Sequence, residues 1–292
     1  MFATFSITFI SPGLYLSFMA KTYCFGLLAA AIMYAHCSSN SVKEQPAENT
    51  YMYSALEDLC NAESNLARGN LIITGLKEMG IEYSVQPFDI WGNTYRNIIV
   101  KLDAENESHN LAFTAHYDRV DVGCGAIDNG SGTAVLLGMI KDIKANPNDN
   151  DLTFIFFDAE EEGLLGSEYY VANTEDRFDA VFNIDMAAYG DSLMISRGVH
   201  HLGEFIPTTE SLNDLIIGIC NENSIPYFFT EDKWTDNVSF NEAGLPAASV
   251  VRVDSRFPTT YPIHNEGDNM SIVDSRVLEK TKDFMLDILD NY

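Results

Sequence analysis

The chain has 292 residues, 46% of them hydrophobic and 21% charged, a balance that supports a packed core and excludes a disordered chain. Its 17 basic against 43 acidic residues give a formal charge of −26, which repels phosphate backbones and excludes a groove lined by Lys and Arg for nucleic acid. Gly and Pro are ordinary at 19 and 9, and no fixed-period repeat occurs, so collagenous and solenoid architectures are excluded as well.

Residues 1–36 hold no acidic residue and one lysine, Lys21, followed by an apolar run from Cys24 to Ala35. The run is shorter than the ~20 residues of a membrane span and has the layout of a signal-peptide hydrophobic region, with Met19 as an alternative start. Small residues before Cys37 and the polar tract after it make Cys37 a candidate for lipidation. We therefore expect the signal to be removed and the remainder to work outside the cytoplasm, as a periplasmic or cell-surface lipoprotein or a secreted protein, touching the membrane only through that anchor. Residues 37–50 read as a polar tether and 51–292 as one folded domain. Cys60, Cys124 and Cys220 then remain; an odd, widely spaced set without a CxxC pair reads as buried small hydrophobes, with one bridge at most.

Along the domain, Tyr51 to Met79 carries helix formers and stops at Gly80, predicting one or two helices. Ile81 to Pro87, Arg96 to Leu102 and Leu111 to Ala115 read as strands. Gly130-Ser131-Gly132 opens a helix with Leu136, Met139, Ile140 and Ile143 at helical spacing. Leu152 to Phe157 is a continuous apolar strand of the kind covered on both faces. Further strands are expected at Val181 to Ile184, Tyr227 to Thr230 and Ala247 to Val253, and helices at Ser211 to Asn223 and Asp274 to Asp290. This alternation predicts an α/β fold with a mixed central sheet between helices.

The chemistry-bearing residues stand where these strands end. His116 and Asp118 follow one strand and Asp128 comes ten residues later, Glu160 and Glu161 follow the next strand, and Asp185 follows a third. Open α/β sheets place their ligand crevice at such carboxyl ends. Several part-buried carboxylates together repel one another, and Arg119 is the only basic residue near them in sequence. Divalent cations offset that repulsion, and a donor set of His and carboxylate without Cys suits zinc. Two ions can be held by His116, Asp128, Glu161, Asp185 and His264. Such a pair activates water and polarises an amide carbonyl, and Glu160, adjacent to a ligand, is placed to act as general base.

The motifs Ala115-His116-Tyr117-Asp118, Gly125-Ala126-Ile127-Asp128-Asn129-Gly130-Ser131-Gly132, Phe157-Asp158-Ala159-Glu160-Glu161-Glu162-Gly163, Asn183-Ile184-Asp185-Met186 and His264-Asn265-Glu266-Gly267-Asp268-Asn269 resemble, in that order, those of the co-catalytic two-zinc aminopeptidases, whose relatives include glutamate carboxypeptidase and glutaminyl cyclase. The resemblance implies a zinc exopeptidase fold of a mixed sheet between helices, and two zinc ions per chain. Asp128 would bridge them, with His116 and Asp185 completing one site and Glu161 and His264 the other. It makes Glu160 the general base and Asp118 the carboxylate that orients His116. Thr235-Asp236-Asn237-Val238-Ser239-Phe240 resembles a family Ser-Asp-His-x-x-Phe segment, which carries over Asp236 as a residue behind the ligands or facing substrate, with Asn237 in place of His.

The implied activity is removal of N-terminal residues from peptides. The alternative in the same fold is a single-zinc glutaminyl cyclase; relatives of that type carry Trp before the final His, where this chain has Ile263. A degenerate, non-enzymatic binding domain would have lost ligands, and all five positions and the base are present. Glu162 reads as solvated surface, and His200 and His201 as surface or cleft lining. Tyr189, Tyr227, Phe229 and Trp234 read equally as pocket or core, and Asp268 equally as a partner of His264 or a turn residue.

Overall fold

The computed structural model describes residues 50–104, 108–231, 233–256 and 262–292; the signal region and Cys37 lie outside them. In chain order the elements are α1 (Tyr51–Asn61), α2 (Asn65–Glu78), β1 (Ser84–Ile90), β2 (Asn93–Leu102), β3 (Asn110–His116), α3 (Ser131–Ala145), β4 (Asp151–Phe157), α4 (Leu165–Asn173) and β5 (Ala180–Asp185). They continue with β6 (Ser192–Ser196), β7 (Gly198–His201), β8 (Glu204–Pro207), α5 (Glu210–Glu222), β9 (Tyr227–Thr230), α6 (Asn237–Glu242), β10 (Ala247–Val253) and α7 (Ser275–Asn291).

The eight-stranded sheet has the order β1-β2-β4-β3-β5-β10-β6-β9, and β7 and β8 form a separate hairpin. Strands β4, β3, β5 and β10 run parallel, while β2 joins β4 and β6 joins β10 in antiparallel fashion. The chain leaves β3 for β4 on one side and later inserts β5 on the other, so the carboxyl ends of these three strands flank a topological switch point.

The apolar run of β4 explains the layers. Phe154 and Phe156 pack in the larger core with α3, α1 and α7, whereas Ile155 and Phe157 pack with Tyr170 of α4 and Phe240 of α6 on the opposite face. Phe113 stacks between Phe154 and Phe182 of its neighbouring strands, with centroids 5.7 and 5.8 Å away. Covering both faces is what makes the strands continuously apolar.

The expected helical stretch is two helices because Ser64 begins the second one, its hydroxyl accepting from the Ala67 amide. Strand β1 begins three residues later than the sequence suggests, after a connector from Gly80, which closes α2 with φ +63°. Four pieces were not signalled: α4 and α6 are too short to display a helical period, β6 is five residues long, and the β7–β8 hairpin has four-residue arms.

The cysteine reading needs correction. Cys60 and Cys124 form a disulfide, with Cα atoms 4.8 Å apart; Cys220 is buried and free. The bridge joins the end of α1 to the loop before Asp128, two segments 64 residues apart that only the tertiary fold brings together. The same loop is gripped by Arg68 of α2. This fully buried guanidinium donates from Nε to the Tyr117 carbonyl, from Nη1 to those of Leu59 and Cys124, and from Nη2 to that of Gly125. Gly125 itself sits at φ +61°, where an added Cβ would meet the Asp128 carbonyl at 2.8 Å. Replacing both bridge cysteines by serine is expected to cost about 2–4 kcal/mol and lower Tm by roughly 10 °C, read by differential scanning calorimetry. An unchanged Tm would show that the bridge does not restrain this loop.

Candidate metal centre

Strand β3 ends at His116 and the chain turns away at once, exposing its carboxyl end to Asp118 and then to the loop 125–130. Asp118 is 1% exposed; its Oδ1 lies 3.2 Å from His116 Nδ1, and its two oxygens accept from the backbone amides of Glu160 and Glu161 at 3.1 Å each. One carboxylate thus fixes the imidazole and also seats the loop after β4. With Nδ1 directed at Asp118, Nε2 is left to face the crevice.

Asp128 stands between two imidazoles. Its Oδ1 lies 3.2 Å from His116 Nε2 and its Oδ2 3.2 Å from His264 Nε2. Glu161 Oε2 is 2.9 Å from the same His264 atom, and Asp185 Oδ1 is 3.9 Å from His116 Nε2. The structure therefore brings together all five residues singled out as ligands, in two sets that share Asp128: His116, Asp128 and Asp185, all buried, and Asp128, Glu161 and His264, which is more open. Within each set the potential ligand atoms lie within 4.8 Å of one another. Glu160 adjoins them, its Oε2 3.9 Å from His116 Nε2 and its side chain 12% exposed.

The loop carrying Asp128 is held from three directions. Asn129 donates to the Ile184 carbonyl and accepts from the amides of Gly132 and Met186, tying the loop to the end of β5. Ser131 donates to the Ile127 carbonyl and accepts from the Ala187 amide. Asp268 accepts from the amides of Ile127 and Asp128 at 2.7 and 3.2 Å. Asp268 closes a turn, its amide donating to the Asn265 carbonyl as one of its two readings has it, and its side chain is in addition a clamp on the Asp128 loop.

Electrostatics distinguishes these carboxyls. The imidazoles of His116 and His264 hold Asp128 well below the usual carboxylate range despite its burial. Burial pushes Glu161 up to about 7, helped by Asp128, and drives Glu160 well upward in spite of the nearby His116. Asp236 is 0% exposed, and burial pushes its carboxyl up to about 7, with His116 and Ser167 pulling the other way. Hydrogen bonding to Asp128 raises His264 to about 9, and the surrounding carboxylates raise His116 against its burial.

A divalent ion fits these donors. His116 Nε2, Glu161 Oε1 and Asp185 Oδ1 are buried polar atoms without a hydrogen-bond partner, all three on the proposed ligand residues. Unpaired buried atoms of this kind are costly unless a cation takes them up. Arg119, the only basic residue near these acids in sequence, donates to the Val120 and Gly123 carbonyls, while Arg68, whose field reaches Asp118, Asp268 and Asp128, and Lys233, whose Nζ is 3.3 Å from Asp185 Oδ2, bring positive charge to the acids. Both come from segments distant in sequence.

The surrounding cleft, about 390 Å³, is lined by Glu160, Glu161, Leu164, Glu168, His201, Lys233, Trp234 and His264. His201 Nδ1 is 2.8 Å from Glu242 Oε1, and its ring meets Trp234 edge-on. Tyr189 and Tyr227 pack on the main core, whereas Phe229 lies under the Arg197 guanidinium at 4.0 Å. Glu162 is exposed and accepts from the Tyr95 hydroxyl. Asn237, which replaces the family's His, is tied to Thr235 and Asn241.

Comparison with known proteins agrees with this geometry. Aminopeptidase YwaD of Bacillus subtilis (strain 168) is 30% identical over 82% of this chain and 56% of its own length. The structure of BSAP, a zinc aminopeptidase from Bacillus subtilis, superposes with a TM-score of 0.58 at 27% identity, covering 68% of this chain and 50% of that one. Porphyromonas gingivalis glutaminyl cyclase, at 20% identity, shares the fold with a TM-score of 0.70, covering 82% of this chain and 96% of that one. The chain thus spans about half the length of these two Bacillus subtilis aminopeptidases. The profile of Peptidase family M28 matches residues 97–289, a span that contains every residue of the two ligand sets, and the chain belongs to that family.

Proposed function

We propose that the protein is an extracytoplasmic zinc aminopeptidase that hydrolyses the first peptide bond of peptides with a free amino end. The observation that carries this reading is the pair of ligand sets sharing Asp128, with Glu160 beside them. The likeness to Bacillus subtilis aminopeptidases supports the same choice. The reading assigns two zinc ions per chain, one to His116, Asp128 and Asp185 and one to Asp128, Glu161 and His264. Zinc held there supplies Lewis acidity toward a peptide carbonyl and toward water.

The protein's own groups do the rest. Asp118 accepts from His116 Nδ1–H, so that Nε2 presents its lone pair to the cleft. Glu160 receives the proton that water loses as it attacks the carbonyl and passes it to the departing amine. Its position beside the ligand sets, 3.9 Å from His116 Nε2, suits it to both transfers. The free amino end of the peptide lies among the cleft carboxylates, where its positive charge is favourable. The Cys60–Cys124 bridge supports a location outside the reducing cytoplasm, consistent with the signal layout read in residues 1–36.

Aminoacyl anilides and N-terminal Gln peptides, offered to the purified protein, distinguish the two chemistries of this fold. Release of the aniline is the expected result. Pyroglutamate formation without anilide cleavage would replace this reading with that of a glutaminyl cyclase.

The same groups set a pH dependence for the metal-free protein. Glu161, Asp236, Asp158, Asp268 and His264 are all raised in the fold, to about 7, 7, 6, 6 and 9. Each binds its proton more tightly folded than unfolded, so its contribution is complete below its unfolded pKa and is lost as pH rises through its folded one. Asp128, lowered in the fold, acts oppositely, but only in acid. Chelator-treated protein is therefore expected to lose several degrees of Tm between pH 5 and 9. Zinc-loaded protein should lose less, because the ions take over the role of the protons. A metal-free Tm that climbs across this interval would contradict the account.

A further inference from the structure

Lys233 precedes the Thr235-Asp236-Asn237 segment, and its ammonium reaches into the centre of the acid cluster, with a side chain only 20% exposed. Its contact divides Asp185 in two. Oδ2 faces Nζ at 3.3 Å, while the buried Oδ1 has no hydrogen-bond partner and lies 3.9 Å from His116 Nε2, on the ligand side. The ammonium field also reaches Asp128, Glu160 and, in the other set, His264, but the close contact is to Asp185. The two ligand sets are therefore unlike. In one, Asp185 already shares its charge with a fixed cation; in the other, Glu161 Oε2 is paired with His264, itself a proposed ligand and half exposed.

We propose that Lys233 is a resident competitor for the metal. It neutralises the acids while the site is metal-free and weakens cation uptake by His116, Asp128 and Asp185, so that this position fills second. The inference rests on the two-zinc reading above. The physical reason is that one carboxylate must then serve an ammonium on Oδ2 and a dication on Oδ1, and the two positive charges repel across it in a mostly buried setting where solvent screens them poorly. The same ammonium favours the metal-free fold, in which Asp185, Asp128 and Glu160 crowd together, by adding to the compensation that His116 and His264 give Asp128. Its removal should thus act in opposite directions on the two states. A side chain that merely fills space, or one that only steadies Asp185, would weaken both.

The experiment is a zinc titration of chelator-stripped full-length protein against a chromophoric competitor, together with the Tm of the stripped form, for wild type, Lys233→Met and Lys233→Arg. Wild type is expected to take up zinc in two separable steps. In Lys233→Met the weaker step should tighten at least ten-fold, the stronger should move less than about three-fold, and the metal-free Tm should fall. Lys233→Arg should resemble wild type. Asp185→Asn should abolish the weaker step, which assigns it to the buried set. A weaker step that is unchanged or loosened in Lys233→Met, or a metal-free Tm that does not fall, would overturn the proposal. Failure of the underlying reading looks different: no zinc uptake by wild type would refute the metal centre itself, and the competitor role with it.

Discussion

Glu160→Gln is expected to lower kcat by at least about 100-fold while zinc content and Tm stay near wild type. Gln keeps the shape of the side chain but can no longer accept a proton. No ligand is lost, because Glu160 belongs to neither set of potential metal ligands. Stability should survive for a related reason. The carboxyl is buried and pushed well upward, so a neutral amide relieves desolvation of the charged form. The effect should therefore fall on kcat, with metal stoichiometry as the control. Normal turnover in the variant would remove Glu160 from the mechanism.

Asp128→Asn should act through the metal. Each of its oxygens lies 3.2 Å from one of the two ligand imidazoles, so a single substitution weakens both sets at once. Zinc content is expected to fall below half of the wild-type value and activity by at least about 10³-fold, with a lower Tm in the presence of zinc. Asn retains the side-chain volume, and the loop keeps its clamps from Asn129, Ser131 and Asp268. Misfolding is thus not the expected cause, and circular dichroism of the stripped variant checks this. Full zinc content in Asp128→Asn would reject the shared-ligand arrangement.

The parts of the site legible in sequence are those that a strand end delivers directly. His116 closes β3, Asp185 closes β5, and Glu160 and Glu161 follow β4 within a few residues. An apolar run that stops abruptly at a carboxylate can be read without knowing the partner. The supports were illegible because each joins segments far apart in sequence: Arg68 reaches Cys124 and Gly125, Asp268 reaches Ile127 and Asp128, and Cys60 reaches Cys124. One trace was nevertheless present. Arg68 occupies the stripe that Ile72 and Leu76 continue on α2, where a charge is buried only with many acceptors to hold it. Lys233 left no such mark, since it lies on a loop and gains its meaning only from where β9 ends.

The same contrast holds for the fold. The core strands and α3 were visible because burial on both faces writes long apolar runs, whereas α4, α6 and the β7–β8 hairpin are too short for periodicity to register. The disulfide was obscured by an odd cysteine count, since Cys220 belongs to the core and takes no part in pairing.

In the function proposed, the converging acids and imidazoles form one site for paired zinc ions. Elemental analysis of the purified protein after dialysis against zinc, followed by removal of loosely bound ions, measures this most directly. The expected result is two zinc ions per chain, their loss on chelation together with a fall in Tm, and recovery of both when zinc is returned. Protein that retains no zinc and melts at the same temperature with or without chelator would contradict it.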